Sequence, residues 1–113
     1  SPLSQKPLTT ILTAVVNRGT GKKAGIEGIE IAGKTGTARK IKDGKYTTTY
    51  VSSFGGFFPA RHPQVTVFVM IDEPLGMYYG GDVAAPLFRS IAAKIMPYLN
   101  LFPDLPERKE ITL

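Results

Sequence analysis

The chain has 113 residues, of which 42% are hydrophobic and 20% charged, with a formal net charge of +5 and no cysteine. These values are typical of one globular domain or part of one, and they exclude a disordered chain, disulfide bonds and thiolate metal sites. The apolar runs are too short for a transmembrane helix, and the first residues show no signal peptide. We therefore expect a membrane anchor only in residues upstream of this chain.

The first predicted element is a helix from Pro7 to Arg18, because apolar residues recur at the spacing of one helical face. These residues are Leu8, Ile11, Leu12, Val15 and Val16. Arg18 suits the carboxyl end of the helix dipole, and Gly19 is a natural residue after the last turn. The glycine-rich residues 19–28 predict a loop.

A first strand is predicted from Ile29, Ile31 and residues 34–38. The dipeptide Asp43-Gly44 then gives a strong signal for a two-residue hairpin turn. The chain is therefore expected to turn back at once into a second strand that pairs with the first.

Residues 47–58 predict that second strand, since they are rich in β-branched and aromatic side chains. Residues 59–64 predict a turn. Residues 65–71 (VTVFVMI) are apolar on both faces and predict a central strand that is covered on both sides by helices.

After a loop at residues 72–81, Asp82 is well placed to cap a second helix. Pro86 is tolerable only near the start of that helix, and Pro97 is expected to end or kink it. Short connections between the strands favour an α+β fold, a three-stranded antiparallel sheet with helices packed on it. The predicted buried face of the second helix comprises Ala84, Phe88, Ile91, Ala92, Ile95 and Leu99.

The sharpest motif matches the phosphate-loop pattern G-x-x-x-x-G-K-T at Gly28, Gly33, Lys34 and Thr35. A phosphate loop needs an apolar strand before its first glycine and a helix that starts near its lysine. The preceding residues GTGKKAGIE cannot form a buried strand, and the glycines that follow leave no room for an ordinary helix. Nucleotide binding is therefore kept only as a minor alternative.

The same residues fit a Lys-Thr-Gly strand of a serine acyltransferase site. The run AGKTGTA at 32–38 resembles the third motif of the class B penicillin-binding proteins. The similarity continues through residues 53–60, 65–74 and 79–88, and extends to about Pro103. The segments SFGGFFPA and YGG with AAPLF are more similar to division members than to elongation members of this family.

This resemblance implies a sub-part of the penicillin-binding and serine β-lactamase-like transpeptidase fold. Residues 1–103 would be the C-terminal portion of the transpeptidase domain, and residues 104–113 a polar tail. The implied activity is D,D-transpeptidation in cell-wall synthesis on the extracytoplasmic face of the bacterial plasma membrane. A serine β-lactamase, a penicillin-sensing relative and a small non-catalytic binding module remain alternatives.

The implied partners are stem peptides ending in D-Ala-D-Ala, β-lactams and the upstream part of the same domain. No cofactor, metal or nucleic acid is expected. Sites of this family also use Ser-x-x-Lys and Ser-x-Asn, and no serine of this chain has either spacing. The resemblance therefore implies that the nucleophile and its base lie upstream and that this chain alone is inactive. The serines are Ser1, Ser4, Ser52, Ser53 and Ser90.

By the same resemblance, Lys34, Thr35, Gly36 and Thr37 bind the substrate, and Lys34 and Thr37 also take part in catalysis. Lys34 places a cation near the substrate carboxylate, and the threonines offer hydroxyl donors to it. Gly36 leaves room for a substrate backbone, and the Thr37 N–H resembles the oxyanion donor. Alternation puts Lys34 and Thr35 on opposite faces, so both reach one cleft only if the strand twists strongly or its edge faces the substrate.

Several polar groups have simpler interpretations. Asp72-Glu73 could form an acid/base pair but is better explained as a solvated loop, and His62 is expected to be exposed. Tyr78 and Tyr79 are candidates for the mouth of the cleft. A basic stretch could bind an anionic partner, although a solvated hairpin explains it better. That stretch comprises Lys34, Arg39, Lys40, Lys42 and Lys45.

Overall fold

The computed structural model describes residues 2–104. Three antiparallel strands form one sheet in the order β1-β2-β3, and two helices pack on it. The predicted α+β class, a three-stranded antiparallel sheet with helices, is therefore confirmed. The elements are α1 (Pro2–Arg18), β1 (Ala32–Lys42), β2 (Lys45–Phe58), β3 (Val65–Asp72) and α2 (Gly80–Ile95), with short 3-10 helices at Lys22–Ala24 and Met96–Leu99.

The hairpin between β1 and β2 forms where the sequence predicts it. Asp43 and Gly44 have φ angles of 53° and 77°, the positive values that a tight two-residue hairpin turn requires. The turn places Lys42 opposite Lys45 and Ile41 opposite Tyr46, but the register shifts by two residues between Ile41 and Arg39, so that Lys34 lies opposite Gly55 and Gly36 opposite Ser53. The hairpin signal therefore predicts that β1 pairs with β2, but not which residues of β2 lie beside the Lys-Thr-Gly motif.

The core lies between α2 and the sheet. Phe88 of α2 is fully buried, and its ring centroid lies 4.6 Å from that of Phe54 and 6.1 Å from that of Phe58. Burying side chains of this size contributes about 1.5–3 kcal/mol each. The predicted face of α2 is confirmed, because Ala84 and Ala92 are also buried and its other members are half-buried.

The prediction that residues 65–71 form a central strand covered on both sides is wrong. Within residues 2–104, the strand β3 lies at one edge of the sheet, and α1 contacts β1 but not β3. Val69 is buried beneath α2, whereas Phe68 and Met70 are 62% and 61% exposed. An apolar strand face shows that the face avoids water, but it does not show which part of the protein covers it.

The predicted apolar face of α1 is only partly buried. Val16 is 3% exposed, but Leu8 and Ile11 are 54% and 61% exposed. An open cavity of about 950 Å³ runs along this helix and is also lined by Phe57 and Ala60. The apolar face of α1 therefore has no complete cover within residues 2–104.

Both helices begin earlier than predicted. Pro2 occupies the first position of α1, where proline is favoured, so Pro7 lies inside the helix rather than at its start. Gly80 begins α2, so Asp82 lies in the first turn and does not cap the helix. Pro86 also lies inside α2, whereas its propensity predicted a position near the start of that helix.

Ile29 and Ile31 precede β1 instead of belonging to it, although Ile31 is buried in the core. At the other end, the backbone N–H of Asp104 donates to the Gly28 carbonyl at 2.6 Å. This bond ties the end of the described chain to the loop before β1. The predicted polar tail at 104–113 otherwise lies outside the described residues.

Candidate active site

The Lys-Thr-Gly residues lie on β1, the outer strand of the sheet. Within residues 2–104, β1 pairs only with β2 and its second edge has no strand beside it. Thr35 and Thr37 lie opposite the buried Phe54 and Ser52 of β2, on the face that carries α2. Lys34 lies on the other face, so the motif places groups on both sides of an open strand edge.

Lys34 and Thr35 nevertheless come together. The Lys34 Nζ donates to the Thr35 carbonyl at 3.0 Å and lies 3.4 Å from the Thr35 Oγ. The ammonium reaches around the strand because no neighbouring strand blocks the outer edge. Of the two arrangements that alternation allowed, the structure has the open edge.

Each threonine hydroxyl of the motif has a partner inside the fold. The hydroxyls of Thr20 and Thr35 lie 3.0 Å apart, and the backbone N–H of Gly80 donates to the Thr37 Oγ at 2.9 Å. A backbone N–H can only donate, so the Thr37 oxygen accepts and its own hydrogen is free to bond outward. The Lys34 ammonium likewise makes the Thr35 oxygen an acceptor.

Gly80 permits the close contact between β1 and α2. A Cβ on Gly80 would lie 2.5 Å from the Gly36 carbonyl oxygen and 2.6 Å from that of Ser53, far inside normal contact with backbone atoms. A Cβ on Gly36 would meet only the Ser53 hydroxyl, the end of a side chain that can rotate away. Packing within the chain therefore restricts Gly80 more strongly than Gly36.

A cavity of about 310 Å³ lies between the motif and the start of α2. At its rim, Lys23 and Asp82 form an ion pair with 2.9 Å between nitrogen and oxygen. The pair links the turn after α1 to the first turn of α2. The cavity is lined by Thr20, Lys23, Thr35, Thr37, Tyr79, Gly80, Gly81 and Asp82.

An aromatic stack borders the same end of the sheet. The rings of Tyr50 and Tyr78 are stacked at 3.9 Å, and Tyr79 follows at 4.6 Å from Tyr78. Arg39 donates to the Tyr50 hydroxyl at 3.0 Å, and this bond lowers the pKa of Tyr50. The hydrogen bond with Tyr79 is the main cause that raises the pKa of Tyr78 to about 12. Of the two tyrosines proposed for the mouth of the cleft, Tyr79 lines the cavity and Tyr78 packs between Tyr50 and Tyr79.

Asp72 and Glu73 do not form an acid/base pair with each other. Both accept hydrogen bonds from the Lys40 Nζ, at 2.9 and 3.2 Å. The remaining residues of the basic stretch are exposed on the hairpin, and His62 is exposed as predicted. The exposure of Lys42 and Lys45 agrees with the solvated interpretation of the hairpin, while Arg39 bonds Tyr50 and Lys40 bonds Asp72 and Glu73.

The sequence reasoning missed Thr20 and Gly80 as parts of the site. Thr20 lies in the predicted glycine-rich loop at 19–28, and Gly80 lies in the predicted loop at 72–81. A single threonine between two glycines is a weak signal. Only the packing of three separate segments shows that both residues contact the motif.

The structure also explains why the phosphate-loop alternative fails. Gly28 lies in a turn with a φ of 86°, and β1 begins at Ala32, so Lys34 and Thr35 belong to a strand. No helix begins at the lysine, so the helix N-terminus that would hold phosphates is missing there. Nucleotide binding is not supported.

The sequence matches the penicillin-binding protein transpeptidase domain family over residues 1–93. That region includes β1, the threonine partners and most of α2. The chain belongs to the penicillin-binding protein transpeptidase family. The expected family resemblance is thereby confirmed, and the β-lactamase alternative is not supported.

Named relatives agree with this assignment. The chain is 43% identical over 102 residues to stage V sporulation protein D of Bacillus subtilis. The aligned region covers 88% of this chain and 16% of the relative. It is 49% identical over 88 residues to the peptidoglycan D,D-transpeptidase FtsI of Buchnera aphidicola, covering 76% and 15%. The chain thus spans only about a sixth of the length of these relatives.

Solved structures show the same fold. The transpeptidase domain of Burkholderia pseudomallei penicillin-binding protein 3 superposes with a TM-score of 0.82 and 36% identity, over 94% of this chain and 33% of that one. Penicillin-binding protein 3 of Mycobacterium tuberculosis, solved with ampicillin, gives a TM-score of 0.74 and 34% identity, covering 90% and 25%. No helix within residues 2–104 is long and apolar enough to cross a membrane.

Proposed function

We propose that residues 1–103 form the C-terminal portion of the transpeptidase domain of a class B, division-type penicillin-binding protein. The complete protein would cross-link peptidoglycan stem peptides at the extracytoplasmic face of the plasma membrane, anchored by a segment upstream. One relative is itself named a peptidoglycan D,D-transpeptidase. The observation that carries the proposal is the convergence of Lys34, Thr35 and Thr37 on an open strand edge.

Substrate recognition follows from that edge. An extended peptide can pair with the free side of β1 as an added strand. The hydroxyl hydrogens of Thr35 and Thr37 can then donate to the terminal carboxylate of the D-Ala-D-Ala unit, and Lys34 supplies the opposite charge. Since Thr20 and Gly80 hold the two hydroxyl oxygens, little reorientation is needed when the carboxylate binds.

The chemical step requires groups from the upstream part of the domain. A serine oxygen attacks the penultimate D-Ala carbonyl, its proton passes to a base, and the terminal D-Ala leaves with a proton on its amine. The backbone N–H of Thr37 stabilises the oxyanion together with a donor from the serine segment. An amine of a second stem peptide then attacks the acyl-enzyme and restores the serine.

The test is the covalent reaction with a labelled penicillin, followed by intact-mass measurement. The complete protein should gain the mass of one penicillin on a serine upstream of this chain, and Lys34→Met should slow the reaction strongly. The 113-residue chain alone should gain no mass. A stoichiometric adduct on the chain alone, or no adduct on the complete protein, would contradict the proposal.

A further inference from the structure

The β1–β2 pairing is interrupted just beyond the aromatic stack. The register shifts between Arg39 and Ile41, and Lys40 has no partner in the ladder. The Thr47 hydroxyl donates to the Lys40 carbonyl at 3.0 Å in place of a ladder bond. Residues 47–49 of β2 therefore lie opposite Lys40 alone, and this bulge in β2 bends the strand and increases the local twist beside Lys40.

Beside this bulge the Lys40 side chain reaches the far strand of the sheet. Its Nζ donates to Asp72, the last residue of β3, and to Glu73, which follows it. The hydrogen bonds to Asp72 and then Glu73 raise the pKa of Lys40, so the ammonium stays charged. An exposed ion pair adds little stability. Because Asp72 and Glu73 share the Lys40 ammonium, however, the two contacts together constrain the direction in which the chain leaves β3.

The segment that leaves β3 is fixed at its two ends. Glu73 has a φ of 53° and donates its N–H to the Tyr50 carbonyl at 2.9 Å. Tyr78 stacks on Tyr50, and its carbonyl accepts the Ser52 hydroxyl. Between these ends, Leu75 is 98% exposed. The course of residues 73–79 thus depends on the contacts at Glu73 and at Tyr78.

This segment leads to Gly80, which contacts Thr37. Gly80 follows Tyr79 directly, and its N–H is the donor that holds the Thr37 hydroxyl. We infer that Lys40 is a positioning residue of the transpeptidase site, because it anchors the start of the segment whose end orients Thr37. The inference rests on the proposed function, in which Thr37 binds the substrate carboxylate.

The experiment compares variants of the complete transpeptidase in their reaction with a labelled penicillin. Lys40→Met keeps the length of the side chain and removes its charge, and it should lower the second-order acylation rate by about three- to tenfold. Lys40→Arg retains both ion pairs and should stay within about twofold of wild type. The matched control is Arg61→Met, which removes the 3.1 Å ion pair with Glu30 beyond the opposite end of β2 and should leave acylation unchanged.

Ionic strength provides a second measurement that a purely structural role would not affect. The ion pairs of Lys40 are partly exposed, so salt near 1 M should screen them and bring the wild-type rate toward that of Lys40→Met. The rate of Arg61→Met should follow the wild type at every salt concentration. Melting curves identify the folded fraction to which each rate refers.

The outcomes separate the two proposals. If wild type reacts and folded Lys40→Met reacts equally fast, the positioning role is wrong while the proposed function stands. The positioning role is also wrong if Lys40→Met lowers only the melting temperature and reacts at the normal rate per folded molecule. If the wild-type protein itself is not acylated, the proposed function fails and this inference fails with it.

Discussion

The two faces of the sheet carry similar apolar residues but have different surroundings. On the face toward α2, Phe54 is fully buried and Val69 is 6% exposed, whereas on the opposite face Phe68 and Met70 are more than half exposed. The first face is closed by the chain itself. The second face is open within residues 2–104, which accords with the proposal that the rest of the transpeptidase domain covers it.

The residues of the candidate site are likewise divided between the covered face and the open face of the sheet. Thr35 and Thr37, on the covered face, are bonded to Thr20 and Gly80 of other segments. Lys34, on the open face, bonds only its neighbour Thr35 among the contacts of the described chain. The comparison indicates that other segments of the chain hold the two threonine hydroxyls, whereas Lys34 makes no hydrogen bond to another segment within residues 2–104.

The largest expected effect tests the covered face. Phe88→Ala should lower the free energy of unfolding of the 113-residue chain by about 3–5 kcal/mol, because the ring is fully buried among two other rings. The matched control, Phe68→Ala, should change it by less than about 0.5 kcal/mol. Denaturant unfolding followed by circular dichroism measures both. Equal losses for the two variants would show that the faces do not differ.

The second prediction concerns the Thr37 backbone in the complete protein. Thr37→Pro deletes the N–H that is proposed to bind the oxyanion, so penicillin acylation should fall about a hundredfold or more. Thr37→Ala keeps that N–H and loses the hydroxyl, and it should cost only about 0.5–1.5 kcal/mol in recognition. An edge strand tolerates proline, and unchanged melting verifies the fold. Equal rates for the two folded variants would refute the oxyanion role.

A smaller effect is expected at the contact between β1 and α2. Gly80→Ala places a Cβ against two carbonyl oxygens, so the helix start must shift, at a cost of about 1–3 kcal/mol in stability. Gly55→Ala is the control on the open face, where the Cβ lies 3.0 Å from the exposed Phe68 ring. That ring can turn aside, so stability should change by less than about 0.5 kcal/mol. Thermal melting distinguishes the two, and an undisturbed Gly80→Ala would contradict the close packing.

The smallest expected effect belongs to Thr20. Thr20→Val keeps the shape of the side chain and removes the hydroxyl that lies 3.0 Å from the Thr35 Oγ. Penicillin binding before acylation should weaken by about 0.5–1.5 kcal/mol, whereas Thr20→Ser should bind as wild type. The dependence of the acylation rate on penicillin concentration gives the binding constant. Normal binding by Thr20→Val would remove Thr20 from the site.

Local signals explain what could be predicted from the sequence. The Asp43-Gly44 turn needs only two residues with positive φ, so it formed as expected, whereas the register at the motif also depends on the shift between Arg39 and Ile41. The periodic face of α2 likewise gave the correct buried residues. The open edge at Lys34 was one of two possibilities that strand alternation allowed.

The order of the strands and the partners of the threonines were decided by tertiary structure. The apolar pattern of residues 65–71 could not distinguish a central strand from an edge strand, because periodicity records which side chains avoid water and not what covers them. The bond from Gly80 to Thr37 joins residues 43 positions apart. By itself the sequence determined the elements, the hairpin and the Lys-Thr-Gly motif. Only the packing of α2 against β1 decided which groups form hydrogen bonds with the motif. A close contact between residues that are far apart in the sequence produces no local pattern in that sequence.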